Sequence, residues 1–273
     1  MPEKLFEFGR RFADIYLNQR LPQAAAALSY YFTMTIFPLL VVLYTLLGNN
    51  YEDAMRLLSV ADKFLAADTA EYIRQFIQYV ALHNSKTMMI AGVSVLITTA
   101  SSAVRALTKT IGIMQGGARY YGLKAIPFSV IFSFIFTAVI YLSMLILLTG
   151  RTFFNSMIEL MPFLEGYLPW NYIRFFVLGI IVFAMFWIVY SFSRRIGEHY
   201  MTVPGAALAT VGMIAVSLSF SVFLSASARY PLIYGSIASV ILLMFWLYAS
   251  SLVLYCGAAF NIVLRDMKAE AEE

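Results

Sequence analysis

"PQAAAALSYYFTMTIFPLLVVLYTLLGNN", residues 22 to 50, contains no Asp, Glu, Lys or Arg. Crossing the hydrocarbon of a bilayer as a helix takes roughly 20 apolar residues, so this stretch predicts a transmembrane span. It also holds Ser29, Tyr30, Tyr31, Thr33 and Thr35 in one half and Pro38 near its middle. Lipid offers such groups no hydrogen bond, so the face that carries them has to turn toward protein or toward a wet cavity. On a 3.6-residue period Ser29, Thr33 and Ile36 share that face with Tyr30 beside it. Pro38 removes the bond that the carbonyl near Met34 would accept. Two readings stay open: hydroxyls that glue helices together across a bundle, or hydroxyls that line a path.

The whole chain follows the same logic. It is 61% hydrophobic and 12% charged, against about 45–50% apolar and about 25% charged in a soluble domain. Residues 21–51, 87–104, 125–150, 175–193, 200–228 and 230–264 are free of charge. The expected architecture is all-α and polytopic, a single membrane domain over residues 1–273. Its spans are expected at 24–47, 87–109, 125–148, 171–192, 204–225 and 232–264. The first run follows some 20 charged and aromatic residues and exceeds the length of a signal-peptide core, so it is expected to be retained. The one cysteine, Cys256, sits in the last span and has no partner for an internal disulfide.

Orientation follows from Lys and Arg in alternate loops. The side holding both termini has 12 of them and the other side has 7, with 8 and 7 acidic residues. Both termini are therefore expected in the cytoplasm, and the basic excess is explained without nucleic acid. Residues 1–20 place Leu5, Phe8, Phe12, Ile15 and Tyr16 at helical spacing against Lys4, Arg10, Arg11 and Asp14, predicting an interfacial helix on that face. Residues 49–86 predict two extracytoplasmic amphipathic helices, packed as a cap or lying on the outer leaflet, with Asp68 and Glu71 as a capping box at the second. Residues 52–82 would offer a docking surface to an envelope protein partner. Three spans followed by three would invert the halves relative to each other, a frequent transporter plan.

The second span turns from apolar to polar. "TTASSAVRALTKTIG" puts Thr98, Thr99, Ser101, Ser102, Arg105, Thr108 and Lys109 in twelve residues, Arg105 and Lys109 on one face. A ladder of this kind can hold a phosphate headgroup by charge-assisted bonds, or it can be a snorkelling anchor for a helix end. Arg119 stands in the glycine-broken loop "QGGARYYGLK" that follows. "ARYPLIYG", 228–235, brings Arg229 and Tyr234 to the opposite interface, as a headgroup contact or a plain anchor. Gly205, Gly212 and the Ser217, Ser219, Ser221 series predict close packing of the fifth span, and Gly235 and Gly257 do so for the sixth.

Four segments in order, "AAAALSYYFTMTIFPLLVVLYTLLG" (24–48), "ASSAVRALTKTIG" (100–112), "VPGAALATVGMIAVSLSFSVFLS" (203–225) and "YGSIASVILLMFWLYASSLVLYCGAAFNIVL" (234–264), resemble the YihY/virulence factor BrkB family of bacterial inner-membrane proteins, formerly labelled ribonuclease BN. The resemblance implies a multi-pass bacterial inner-membrane protein with a theme of envelope integrity and lipid or lipopolysaccharide traffic. Near the end of the last span the family usually shows Gly-Ala-Glu-Leu-Asn. This chain has Gly257, Ala258, Ala259, Phe260, Asn261, so a role for that carboxylate does not carry over, while Asn261 remains a candidate. The usual asparagine-rich turn after the second span is altered to Gly112 through Gly117.

The residues speak against catalysis. Metal-dependent phosphodiester cleavage needs clustered His, Asp or Glu, and the two histidines, His83 and His199, fall on opposite sides of the predicted bilayer. No catalytic residue, metal site or cofactor is expected, and no nucleotide motif supports a pump. No acidic residue lies in a span to relay protons. The expected function is translocation or guidance of an anionic amphipathic lipid through a polar groove. Its candidate residues are Ser29, Tyr30, Thr33, Pro38, Ser101, Ser102, Arg105, Lys109, Arg119, Arg229, Tyr234 and Asn261. Its alternative is a structural or assembly factor of the cell envelope. Membrane lipids are the expected partners, and the oligomeric state is left open.

Overall fold

The computed structural model describes residues 2–46, 50–61, 67–83, 86–116, 125–160, 170–193, 201–226 and 237–272. Among them the chain forms α1 (Pro2–Asn18), α2 (Leu21–Leu46), α3 (Tyr51–Ala61), α4 (Ala67–His83), α5 (Lys86–Met114), α6 (Ala125–Leu160), α7 (Trp170–Ser193), α8 (Val203–Ala226) and α9 (Ile237–Glu272). Six of these helices, α2 and α5 through α9, are long and apolar enough to cross a membrane. The protein is an all-α polytopic membrane protein.

Burial orders the spans. In α2 and α9, 39% of the apolar window is buried, against 17–22% in α6, α7 and α8. The first and last spans are thus the centre of the bundle, with α5 and α8 packed against them and α6 and α7 outside. The outer spans present Ile131, Phe134, Phe176, Val211, Leu218 and Val222 outward. Lipid tails are as apolar as these side chains, so burying them would gain little; association comes from close packing and interhelical bonds instead.

Close packing shows at α8 and α9. A Cβ on Gly257 would stand 2.6 Å from the Tyr190 hydroxyl and 2.7 Å from the Gly205 carbonyl, and one on Gly212 would stand 2.8 Å from Val253. A Cβ on Gly205 would collide with the Gly257 carbonyl and the Asn261 side chain. The glycines of the fifth span make the contact that the sequence predicts. The serine series does not, because Ser219 is exposed and Ser217 only half-buried.

Several boundaries depart from the expected ones. α5 continues through Gly112 to Met114 and ends at Gly116, whose φ of 79° closes the helix by a left-handed cap. α6 runs on past the expected end of the third span at 148 to Leu160, and α9 past 264 to Glu272. At 36 residues each, they measure about 54 Å and outreach a hydrocarbon core of about 30 Å. α2 stays one continuous helix across Pro38.

The amphipathic helices also sit differently. Phe12, Ile15 and Tyr16 of α1 pack on the central core, and Phe8 meets Phe260 at 5.1 Å between ring centroids. Arg11 donates to Glu270 at 2.7 and 2.6 Å and also to Glu7, which fastens the two ends of the chain together on one face of the bundle. The apolar stripe therefore turns onto protein, and it is Leu5, Phe6 and Leu17 that stay exposed. The corner into α2 is made by Arg20 at a φ of 49°, a conformation uncommon outside glycine.

At the other face Ala54, Ile77 and Val80 gather on Val41 and Tyr44. Phe76 meets Phe37 at 5.3 Å between centroids, nine residues or about 13 Å of helix before the end of α2. So α4 lies along the flank of the first span rather than above it. Asp68, expected to cap it, falls inside α4, and Glu71 accepts from Gln75 and Arg74, which hold its carboxyl below the ordinary value.

Forcing a side chain into the α8–α9 contact overpacks it, and such changes cost about 1–3 kcal/mol. Gly257→Val is expected to lower the thermal unfolding midpoint in detergent, whereas Gly179→Val, where no neighbour lies within 4 Å, leaves it unchanged.

Candidate functional site

The second span is fastened to the third by polar side chains. Ser101 and Ser133 lie 2.9 Å apart, and because the Ser133 hydroxyl already donates to the Ser129 carbonyl at 2.6 Å, Ser101 is the donor. One turn on, Arg105 donates through Nη1 to Ser129 at 3.1 Å and through Nη2 to Ser102 at 2.9 Å. Both cross-links keep one antiparallel register, stepping four residues along α5 and four back along α6. The next step opposes Lys109 to Ala125, where α6 begins. The first amides of a helix lack intrahelical partners and carry its positive dipole end. Half-buried Arg105, exposed Lys109 and this helix start therefore form one electropositive corner at the face that holds the termini. Among the described residues no carboxylate pairs with either cation.

Ser29 and Thr33 are not part of that corner. Both are buried, and their hydroxyls donate within α2, Ser29 to the Ala26 carbonyl at 2.8 Å and Thr33 to the Ser29 carbonyl at 2.8 Å. Tyr30 points away, 53% exposed, with its ring edge-on to Tyr31. Pro38 is half-buried inside α2. The shared polar surface expected of these residues with Arg105 is thus divided. A hydroxyl three or four residues from a carbonyl on its own helix has a nearer acceptor than any neighbour.

Between the first, second, third, fourth and sixth spans lies a cavity of about 40 Å³. Its wall includes Phe32, Val104, Leu107, Phe132, Phe186 and Leu254, with Thr35 as the polar residue, and the Thr35 hydroxyl is held by the Tyr31 carbonyl at 2.7 Å. A space this size could hold a few waters, but apolar cavities stay dry. It does not provide the polar groove.

Asn261 is a clasp. Its side chain accepts from the Gly205 amide at 2.7 Å and donates to the Thr202 carbonyl at 3.0 Å, closing the first turn of α8 from a neighbouring span. With 1% of its surface exposed, it has no face for a lipid. Tyr190 makes a second such link, donating to the Leu254 carbonyl at 2.7 Å. Arg119, Arg229, Tyr234 and His199 lie outside the described residues. His83 is exposed and stacks on Tyr79 at 4.3 Å. Among the described residues no group of three or more His, Cys, Asp or Glu could hold a metal ion.

Sequence reasoning missed Ser129 and Ser133. Their signal was available, two serines four apart in an otherwise apolar span, "FSVIFSF".

Comparison with known proteins places the chain among membrane proteins. The sequence model of the family described as virulence factor BrkB matches residues 12–273. A ribonuclease-like protein, YfkH, of Bacillus subtilis is 24% identical over 255 residues, covering 91% of this chain and 92% of that protein. A UPF0761 membrane protein of Mannheimia succiniciproducens is 26% identical over 270 residues, covering 93% and 88%. A UPF0761 membrane protein of Histophilus somni is 23% identical over 287 residues, covering 96% and 91%. No solved structure matches the chain.

Asn261→Ala leaves the buried Gly205 amide without its partner, while the Thr202 carbonyl keeps the Ala206 amide at 3.1 Å, a loss of about 1–3 kcal/mol. The expected result is a lower unfolding midpoint in detergent, with the Asn261→Gln variant recovering little of it because the longer side chain does not fit beside Gly205.

Proposed function

The chain belongs to the virulence factor BrkB family, and from that premise we propose that it guides an anionic lipid along the flank of its bundle at the inner membrane of a bacterium. Arg105 is the observation that supports this reading. A guanidinium has five N–H donors, and described residues take up two, both with neutral hydroxyls. A half-buried cation with no counter-charge inside a membrane is expensive, and such residues mark substrate paths. A phosphate-bearing headgroup would supply the missing charge, and Lys109 and the start of α6 lie on the way to it. The Lys and Arg excess on the face with both termini, 12 against 7, makes that face the cytoplasmic one in this reading. The acyl chains would then run over the exposed apolar surface of α5 and α6, such as Ile131 and Phe134. A lipid guided in this way runs along the outside of the bundle.

A second reading has its own support. Hydroxyls paired off within helices and a dry apolar cavity suit an envelope assembly factor, whose partner would dock on the α3–α4 side, where Tyr79 and Leu82 are exposed. The ribonuclease likeness in the name of the Bacillus relative has no cluster of ionisable side chains among the described residues to support it here.

The test uses purified protein in liposomes of zwitterionic lipid doped with a labelled anionic or a labelled zwitterionic phospholipid. Retention of the label after detergent extraction and its transfer between leaflets are read separately. Wild type is expected to retain and move the anionic label preferentially. Arg105→Ala is expected to reduce retention about tenfold, since a bond to a charged group contributes about 1.5–3 kcal/mol, and Lys109→Ala to reduce it less. Equal retention of both labels by wild type and variant would leave the assembly reading.

A further inference from the structure

Hydroxyls in the spans follow a rule. Thr33 in α2, Ser102 and Thr110 in α5, Ser193 in α7 and Thr210 in α8 each donate to a carbonyl four residues back in the same helix. Three described hydroxyls on α9 break it. Ser250, Ser251 and Tyr255 have buried side-chain oxygens with no hydrogen-bond partner in the protein, and their exposures are 3%, 0% and 0%. They fall within six residues of one helix, at the centre of the bundle.

Such groups are unstable where they are unless something polar reaches them, because in a low dielectric an unmade bond is not offset by solvent. The serines also decline the acceptor on their own helix that the other hydroxyls take. Ser251 and Tyr255 are four apart and share a face. The Tyr255 hydroxyl reaches toward Thr110 of α5 without closing a bond. Thr110 has already given its hydrogen to the Ala106 carbonyl at 3.0 Å, so its lone pairs remain open to a donor. Two polar groups that face each other with no bond closed between them are a usual place for a bridging water. Thr110 stands four residues from the end of α5, about 6 Å from the face with the termini, so solvent has a short way in.

We infer that the α9 segment from Ser250 to Tyr255 is a water-binding site inside the bundle, where ordered water bridges the Tyr255 and Thr110 hydroxyls and supplies partners to the two serines. Ser29 and Thr33, whose hydroxyls are satisfied within α2, have no need of it. The apolar cavity lies next to it, with Leu254 on its wall, and stays separate. The site does not depend on the lipid-guiding reading.

Tyr190 is an internal control. It is 2% exposed, and its hydroxyl is bonded to Leu254. X-ray hydroxyl-radical footprinting of the whole protein in nanodiscs creates radicals from water in contact with a side chain. Tyr255 is expected to be oxidised at least fivefold faster than Tyr190, and Thr110→Val is expected to slow it. Tyr255 as protected as Tyr190 would overturn the inference. The sign of a stability change gives an independent reading. A hydroxyl that binds water loses a partner in Tyr255→Phe, so the unfolding midpoint is expected to fall, as is expected of Tyr190→Phe, which loses its bond to the Leu254 carbonyl. A dry, unpaired hydroxyl is better removed, and a midpoint that rises or stays level in Tyr255→Phe overturns the site.

Discussion

Hydrocarbon accepts no hydrogen bond, and nearly every polar contact in this protein answers to that constraint. Within α2 the hydroxyls of Ser29, Thr33, Thr35 and Thr45 all lean back onto carbonyls of their own helix. A helix that satisfies its own hydroxyls can turn any face toward lipid, which is why a span this rich in serine and threonine needs no aqueous lining. Bonds between spans become few and positional as a result. They concentrate at two seams: α5 with α6, through Ser101–Ser133 and Arg105–Ser129, and the trio of α7, α8 and α9, through Tyr190 and Asn261.

The two seams solve the same problem in opposite ways. At α8 and α9 small residues let backbones touch, and a single amide side chain reads the first turn of the facing helix. At α5 and α6 two serines meet directly and an arginine reaches a third, so one of the linking side chains carries a charge. The first is a permanent joint. The second has donor capacity left over, on a half-buried arginine beside buried serines.

Much of this was legible in the residues. Charge-free windows located all six spans, since a charge inside the hydrocarbon is too costly to be hidden by context. Gly205, Gly212 and Gly257 announced close packing because few other reasons keep glycine in an apolar helix. What could not be read was direction. Periodicity placed Ser29 and Thr33 on one face, but not whether their hydroxyls would leave that face or bend back to the previous turn. Likewise the stripe of Phe8, Phe12, Ile15 and Tyr16 was plain, yet whether it meets headgroups or protein depends on Phe260 and Glu270, some 250 residues away in sequence. The helix ends moved for a local reason: Gly112 is tolerated inside α5, and Gly116, not Gly112, takes the left-handed turn.

The Asn261 clasp has a bearing on biogenesis. Its acceptor and donor close the opening turn of α8, yet they belong to α9, 56 residues downstream of Gly205. Until α9 has been made, the first turn of α8 lacks this partner. Closure of this joint is therefore vectorial, with a later span locking an earlier one into place.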